Sequence, residues 1–371
     1  MHRKRIFYLS GTRADYNPLR CVLKEIDKHF DLSIIVTGMH TNKKHGDTIR
    51  EIENDGLKIE KIIKLYPRTD NNYSMVEFIG KLIIRLTRFF KDNKPDIMLL
   101  VGDRGEQFAG AIVAAHLNIP IAHISGGDVS KSIDDAIRNA ITKFSHIHLA
   151  GTKQSAERIR KMNEEHWRVN MVGTPINTRF SKVNIYKYFN VNKNKPLLLL
   201  IQHPITTQSE QSGKQMRVTL EAIKELEYQT IIIYPCSDSG SNEMIKIIKK
   251  YKYLPFIRTY KNIESDIFMS LLRKIDVLIG NSSTGILEAP FFKLPVVNIG
   301  IRQEGRERGN NVIDVGYNKD DIKKGILTAL NNKFRKGINK NPYVSEKLVE
   351  KEIVKVLLKT NIDILEKTPV Y

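Results

Sequence analysis

Apolar strand-like runs and helical runs alternate along almost the whole chain, and that alternation restricts the fold more than any single motif does. Strands that alternate with helices build parallel sheets, because each parallel neighbour has to be reached by a crossover, and the helices then cover both sheet faces. In the first half the strand runs fall at 5–10, 32–37, 59–65, 96–101, 119–124, 146–150 and 169–172. A polar segment rich in Lys and Asn, 182–195, follows, and the pattern restarts at 197–201, 230–234, 256–259, 276–279, 296–299 and 312–315. At 371 residues the chain exceeds the size at which one core keeps growing. The expected fold class is therefore α/β, with two doubly wound Rossmann-like domains, 1–178 and 179–371, facing each other across a cleft. The last amphipathic helix, about 346–358, is a candidate to pack back on the first domain.

Charge and cysteine usage narrow the function classes. The formal net charge is +19, but the lysines are dispersed, and the clusters 246–252 and 347–359 follow helical spacing as solvated faces do. No helix-turn-helix, zinc finger or aromatic RNA-binding stripe accompanies them, so nucleic acid is not the expected partner. A positive field does favour a phosphorylated small substrate. Cys21 and Cys236 lie far apart, which suits a reducing compartment and gives no zinc pattern. The start, His2 to Leu9, imitates a signal peptide, but its apolar run is short and Arg13 and Asp15 follow; it is read as a first strand. No uncharged run is long enough to span a bilayer. The expected location is cytoplasmic, with no membrane partner, no metal and no cofactor.

The stretch 96–138 holds five aspartates, His123 and paired glycines, nearly all where apolar runs stop. Ligands of open α/β sheets bind beyond the carboxyl ends of strands, so Asp103, Arg104, His123, Ser125 and Asp128 would share one crevice. Asp134 and Asp135 open a helix that carries Arg138. The plainer reading makes these aspartates turn formers and N-caps. Two strand-to-helix turns, one in each half, suit a diphosphate: Ser10-Gly11-Thr12-Arg13-Ala14-Asp15 and Gly280-Asn281-Ser282-Ser283-Thr284-Gly285. Arg13 offers a forked phosphate partner, Glu288 an acceptor for ribose hydroxyls, and Arg302 and the strand-end His203 face the same cleft. Neither turn is a P-loop or a dinucleotide fingerprint, and 280–284 lacks the second glycine of a nucleophile elbow. His146 and His148 are taken as structural.

These residues together resemble the hydrolysing UDP-N-acetylglucosamine 2-epimerases of sialic-acid synthesis. The matching segments include Gly11-Thr12-Arg13-Ala14-Asp15-Tyr16, Gly102-Asp103-Arg104, His123-Ile124-x-Gly126-Gly127-Asp128, Asp134-Asp135-Ala136-Ile137-Arg138, His203-Pro204 and Gly280-Asn281-Ser282-Ser283. The resemblance implies a fold of the B-type glycosyltransferase kind and conversion of a sugar nucleotide and water to N-acetylmannosamine and free nucleotide. The steps it implies are anti elimination to a 2-acetamidoglucal and then syn hydration. It implies catalytic roles for Asp103 and Asp134, and sugar-nucleotide contacts for Arg13, Arg104, His203, Ser282, Ser283, Glu288 and Arg302. Three departures stand out. A third catalytic glutamate of many members is Ser125, with Asp128 and His123 the nearest substitutes; a frequent Ser is Asn17; and an Asn is Cys236, although Asp238 fits the pattern. Relatives in legionaminic-acid pathways use GDP-N-acetylglucosamine, so UDP and GDP donors both stay open. A homodimer or homotetramer is expected. A glycosyltransferase of the same fold and a basic polyanion-binding protein are the competing readings.

Overall fold

The apolar runs become strands of two parallel sheets in the computed structural model, which describes residues 3–42, 48–69, 71–130, 133–177, 180–361 and 366–367. The first sheet contains β1 (Arg5–Ser10), β2 (Asp31–Val36), β3 (Ile59–Ile62), β4 (Ile97–Val101), β5 (Ile121–Ile124), β6 (Ile147–Ala150) and β7 (Val169–Met171). Its order is β3-β2-β1-β4-β5-β6-β7. The second contains β8 (Leu197–Ile201), β9 (Gln229–Ile233), β10 (Ile257–Tyr260), β11 (Val277–Gly280), β12 (Val296–Ile299) and β13 (Val312–Val315), ordered β10-β9-β8-β11-β12-β13. Central strands such as Leu197–Ile201 are buried at every position, which is why they read as unbroken apolar runs rather than alternating ones.

Each sheet reverses its winding once. β1 pairs with β2 on one side and β4 on the other, and β8 pairs likewise with β9 and β11. The loops leaving β1 and β4, or β8 and β11, therefore diverge to opposite faces and open a crevice between them. The two crevices face one another. At the end of β11 the chain bends at Gly280, whose φ of +121° and position against the Ile201 carbonyl leave no room for a side chain: a Cβ there would lie 2.1 Å from that oxygen.

The final helix, Val349–Lys359, leaves the second domain and packs on the first. Ile353, Val354 and Leu357 join the core formed with Leu23 and Ile26 of the helix Arg20–His29. The first core is thus completed by the last regular element among the described residues. The expected domain boundary between 178 and 179 lies outside the described residues. A long helix that the strand pattern does not announce, Asn72–Phe90, packs against Gly105–His116 beside the β4 loop. Among the described residues no helix is long and apolar enough to cross a membrane.

Candidate active site

The second domain gathers its site residues around Asn281, the first residue after β11. Its side-chain Oδ1 accepts from the His203 backbone N–H at 2.7 Å, and its Nδ2 donates to the His203 carbonyl at 2.9 Å, locking the ends of β8 and β11 together. Its own carbonyl accepts from Arg302 Nη1 at 3.1 Å and Gln303 Nε2 at 2.9 Å, so the loop after β12 is tied to the same point. His203 Nδ1 accepts from the Cys236 backbone N–H at 3.2 Å. Burial, helped by the Arg302 charge, lowers the His203 pKa to about 3, so the ring is neutral and Nε2–H is its donor. The contact at Cys236 comes from the main chain, so it does not depend on which side chain stands there.

A pocket between the domains is lined from the second domain by His203, Asp238, Ser282, Ser283, Glu288 and Arg302, and from the first by Arg13, Asn17 and Arg104. Glu288 is deeply placed, and its Oε2 has no hydrogen-bond partner among the described residues. Burial pushes its carboxyl up to about 7. The Asn17 Oδ1 is equally without a partner among the described residues. A buried acceptor left unpaired costs free energy, so both groups favour a ligand that brings donors.

The turn after β1 in the first domain does not present its amides to a phosphate, contrary to the sequence expectation. Gly11 and Thr12 N–H groups both donate to Asp15 Oδ2 at 3.0 Å, and Ser10 Oγ donates to Asp15 Oδ1 at 2.6 Å. The turn closes on its own carboxylate instead of on a ligand. It is further packed by Glu106, whose side chain occupies the space a Cβ on Gly11 would need, 2.6 Å from Glu106 Cγ. Burial raises the Asp15 carboxyl to about 7, with the Glu106 charge adding to the shift. Arg13 instead reaches across the cleft, donating to the Tyr234 carbonyl at 2.9 Å, the Lys261 carbonyl at 2.8 Å and Asn262 Oδ1 at 3.0 Å.

A second pocket adjoins the first and holds the carboxylates. Asp103 and Asp134 line it, and it shares Arg104, Asp238 and Arg302 with the first pocket. Arg104 Nη2 donates to Asp238 Oδ1 at 3.0 Å across the cleft. Asp103 is ion-paired with the buried Arg138, which also donates to Asp135 Oδ1 at 2.7 Å and to the Asp128 carbonyl at 2.8 Å. Desolvation in the crevice pushes the Asp103 carboxyl up, and the charges of Arg138, Arg306, Arg302 and Arg104 overcome it, holding the group below its usual range. Asp103 is therefore an ionised acceptor at neutral pH.

Two of the four acid/base candidates stand apart from both pockets. His123 is fully buried, with Nε2 against the Gly102 carbonyl at 2.8 Å and Nδ1 against Thr142 Oγ1 at 3.2 Å, and burial lowers its pKa to about 3. It braces the loop that carries Asp103. Asp128 accepts from Ser155 Oγ at 2.7 Å and does not line the carboxylate pocket. Ser125 takes a left-handed conformation, φ +61°, and its N–H donates to the Leu149 carbonyl at 3.1 Å. Asp96 accepts from the Arg5 N–H at 2.7 Å, a structural role. Sequence reasoning did not assign Arg138 as the partner of Asp103, although its place one turn after Asp134 puts both on one helix face.

The family defined as UDP-N-acetylglucosamine 2-epimerase matches residues 24–358. The chain belongs to that family. Among its relatives, a UDP-N,N'-diacetylbacillosamine 2-epimerase (hydrolyzing) of Legionella pneumophila is 38% identical over 336 residues, 88% of this chain and 89% of the relative. A GDP/UDP-N,N'-diacetylbacillosamine 2-epimerase (hydrolyzing) of Campylobacter jejuni is 32% identical, with 86% of each chain covered. Among solved structures, the UDP-GlcNAc 2-epimerase of Methanocaldococcus jannaschii in complex with UDP-GlcNAc and UDP aligns with a TM-score of 0.81 at 21% identity, covering 96% of this chain and 100% of that one. That likeness places the two sheets in the same fold.

Proposed function

We propose that this epimerase is of the hydrolysing type, releasing UDP and the free 2-epimeric sugar from a UDP-linked 2-acetamido sugar. The observation that carries the reading is the joining of two pockets through Arg104, Asp238 and Arg302: one fits a nucleotide and the other holds Asp103 and Asp134. The C2 hydrogen of such a sugar is not activated by an adjacent carbonyl. Cleavage of C1–O therefore runs ahead and leaves positive charge on the ring, as in glycoside hydrolysis. The ionised Asp103 stabilises that charge, Asp103 and Asp134 exchange protons at C2 and with water, and the arginines receive the departing diphosphate. Elimination removes the C2 hydrogen and the nucleotide together; hydration of the resulting double bond returns a proton to C2 and hydroxide to C1. Glu288 takes the ribose hydroxyls and His203 Nε2–H a diphosphate oxygen.

N-acetylglucosamine is the simplest sugar for this site, and N,N'-diacetylbacillosamine is the alternative favoured by the relatives named for it. Incubation with UDP-GlcNAc, GDP-GlcNAc and UDP-N,N'-diacetylbacillosamine in deuterated water, followed by NMR, tests the reading. The expected product is a free sugar inverted at C2 with solvent deuterium there. Absence of such a product from all three donors overturns it, and transfer to an acceptor without release into water favours a glycosyltransferase.

A further inference from the structure

The loop after β12 brings Arg302 to the pocket between the domains, and further along it Arg306 crosses to the first domain. There Arg306 Nε donates to the Val129 carbonyl at 3.1 Å. A Cβ on Gly305 would lie 3.4 Å from Val129 Cγ1, so the two loops are in contact. A second route runs through Glu307, which accepts from Thr152 Oγ1. Thr152 Oγ1 in turn accepts from the Ser155 N–H at 3.1 Å, and Ser155 Oγ donates to Asp128 Oδ1 at 2.7 Å. Residues 305–307 of the second domain therefore hold residues 128–129 of the first by two routes.

The same short segment seats the reacting carboxylate. Arg138 Nη1 donates to the Asp128 carbonyl at 2.8 Å, and the same guanidinium is ion-paired with Asp103. The Ser130 N–H donates to Asp135 Oδ1 at 2.7 Å, which is another partner of Arg138. Successive carbonyls, those of Asp128 and Val129, thus accept from two arginines, one in each domain. A rigid peptide plane joins them, so a shift of one displaces the other. Arg306 Nη1 is buried with no hydrogen-bond partner among the described residues. A buried charged donor left unpaired is costly, which argues against a side chain kept there for packing alone. Its charge also acts on Asp103.

We propose that Arg306 is a positioning residue for Asp103: by fixing the Val129 carbonyl it fixes the Asp128 carbonyl, hence Arg138, and hence the carboxylate that Arg138 holds. The proposal rests on the 2-epimerase reading above and deepens it, because one loop, 302–306, then joins the nucleotide side of the cleft to the geometry of the acid/base group. Displacement of a reacting group by about 1 Å costs on the order of 10²-fold in rate.

The test is Arg306→Met, whose stem still fills the half-buried position. Its kcat with the UDP-sugar that the unaltered enzyme turns over should fall by about 10- to 100-fold, while the calorimetric Kd for UDP stays within about threefold. In a cycle with Arg138→Met the loss should be at least about threefold smaller than in the unaltered background, since both side chains act on one carbonyl pair. An unchanged kcat, a parallel loss of UDP affinity, or additive losses in the cycle overturn the proposal. If no donor is turned over, the 2-epimerase reading falls by itself, and hydrogen exchange decides the positioning. Amides of 101–107 and 125–130 should then exchange about tenfold faster in Arg306→Met, as loss of one charged hydrogen bond gives. Unchanged exchange in 101–107 overturns it.

Discussion

The turns after β1 and β11 each flank the switch point of their sheet, yet they do opposite things. After β1 the main-chain donors of Gly11 and Thr12 are consumed by Asp15 within the turn. After β11, Asn281 uses its side chain and carbonyl to hold His203 and Arg302, and Ser282 and Ser283 line the pocket. The first turn is closed on itself, whereas Ser282 and Ser283 of the second line the pocket between the domains. Similar local sequence patterns thus end in one turn closed on a side chain and one that lines a pocket.

The largest effect that sharpens this division is at the carboxylates. Asp103→Asn or Asp134→Asn is expected to lower kcat by about 10²–10⁴-fold with the Kd for UDP nearly kept; equal losses in both measurements would break the comparison. Arg302→Ala should weaken UDP binding by about tenfold or more, as removal of a charged hydrogen-bonding partner does, measured by calorimetry. Arg138→Met removes the cation that holds the Asp103 carboxyl down. The acidic limb of the kcat/KM profile should then move to higher pH, and an unmoved limb would separate Asp103 from the observed titration.

Smaller effects compare the two carboxyls that burial pushes to about 7. Glu288 lines the pocket proposed to take the nucleotide, so UDP affinity should strengthen as pH rises through about 7 and become flat in Glu288→Gln. Asp15 acts on the fold instead. Its folded pKa of about 7 exceeds the ordinary 3.8, so the stability it lends is complete below about 4 and is lost as pH rises through about 7. Asp15→Asn, which keeps an acceptor oxygen, should therefore show a smaller drop in Tm between pH 5 and pH 8 than the unaltered protein. A change in the UDP pH profile on Asp15→Asn would show that the first turn binds nucleotide after all.

The strands were legible because buried parallel strands leave unbroken apolar runs: Leu197–Ile201 and Val296–Ile299 stand where the pattern puts them. The strand-end positions of Asp103, His203 and Arg302 followed from the same runs. The inward turn of Gly11 and Thr12 onto Asp15 did not, because a Gly-Thr sequence before a helix is compatible with either a bound phosphate or a bound side chain. The pairing of Arg138 with Asp103 depends on how two helices dock, and the reach of Arg306 to the Val129 carbonyl depends on how the two domains meet. Neither is a local property. His123 shows the reverse case: its strand-end position suggested chemistry, but its ring is spent on the Gly102 carbonyl.

Docking of Val349–Lys359 on the first domain means that the polypeptide crosses between the domains twice, once after β7 and once before this helix. The second domain is consequently held by two covalent straps rather than one. A body tied at two points is restrained in more directions than one tied at a single point, and the Arg104–Asp238 contact across the cleft is made by two domains joined in that way.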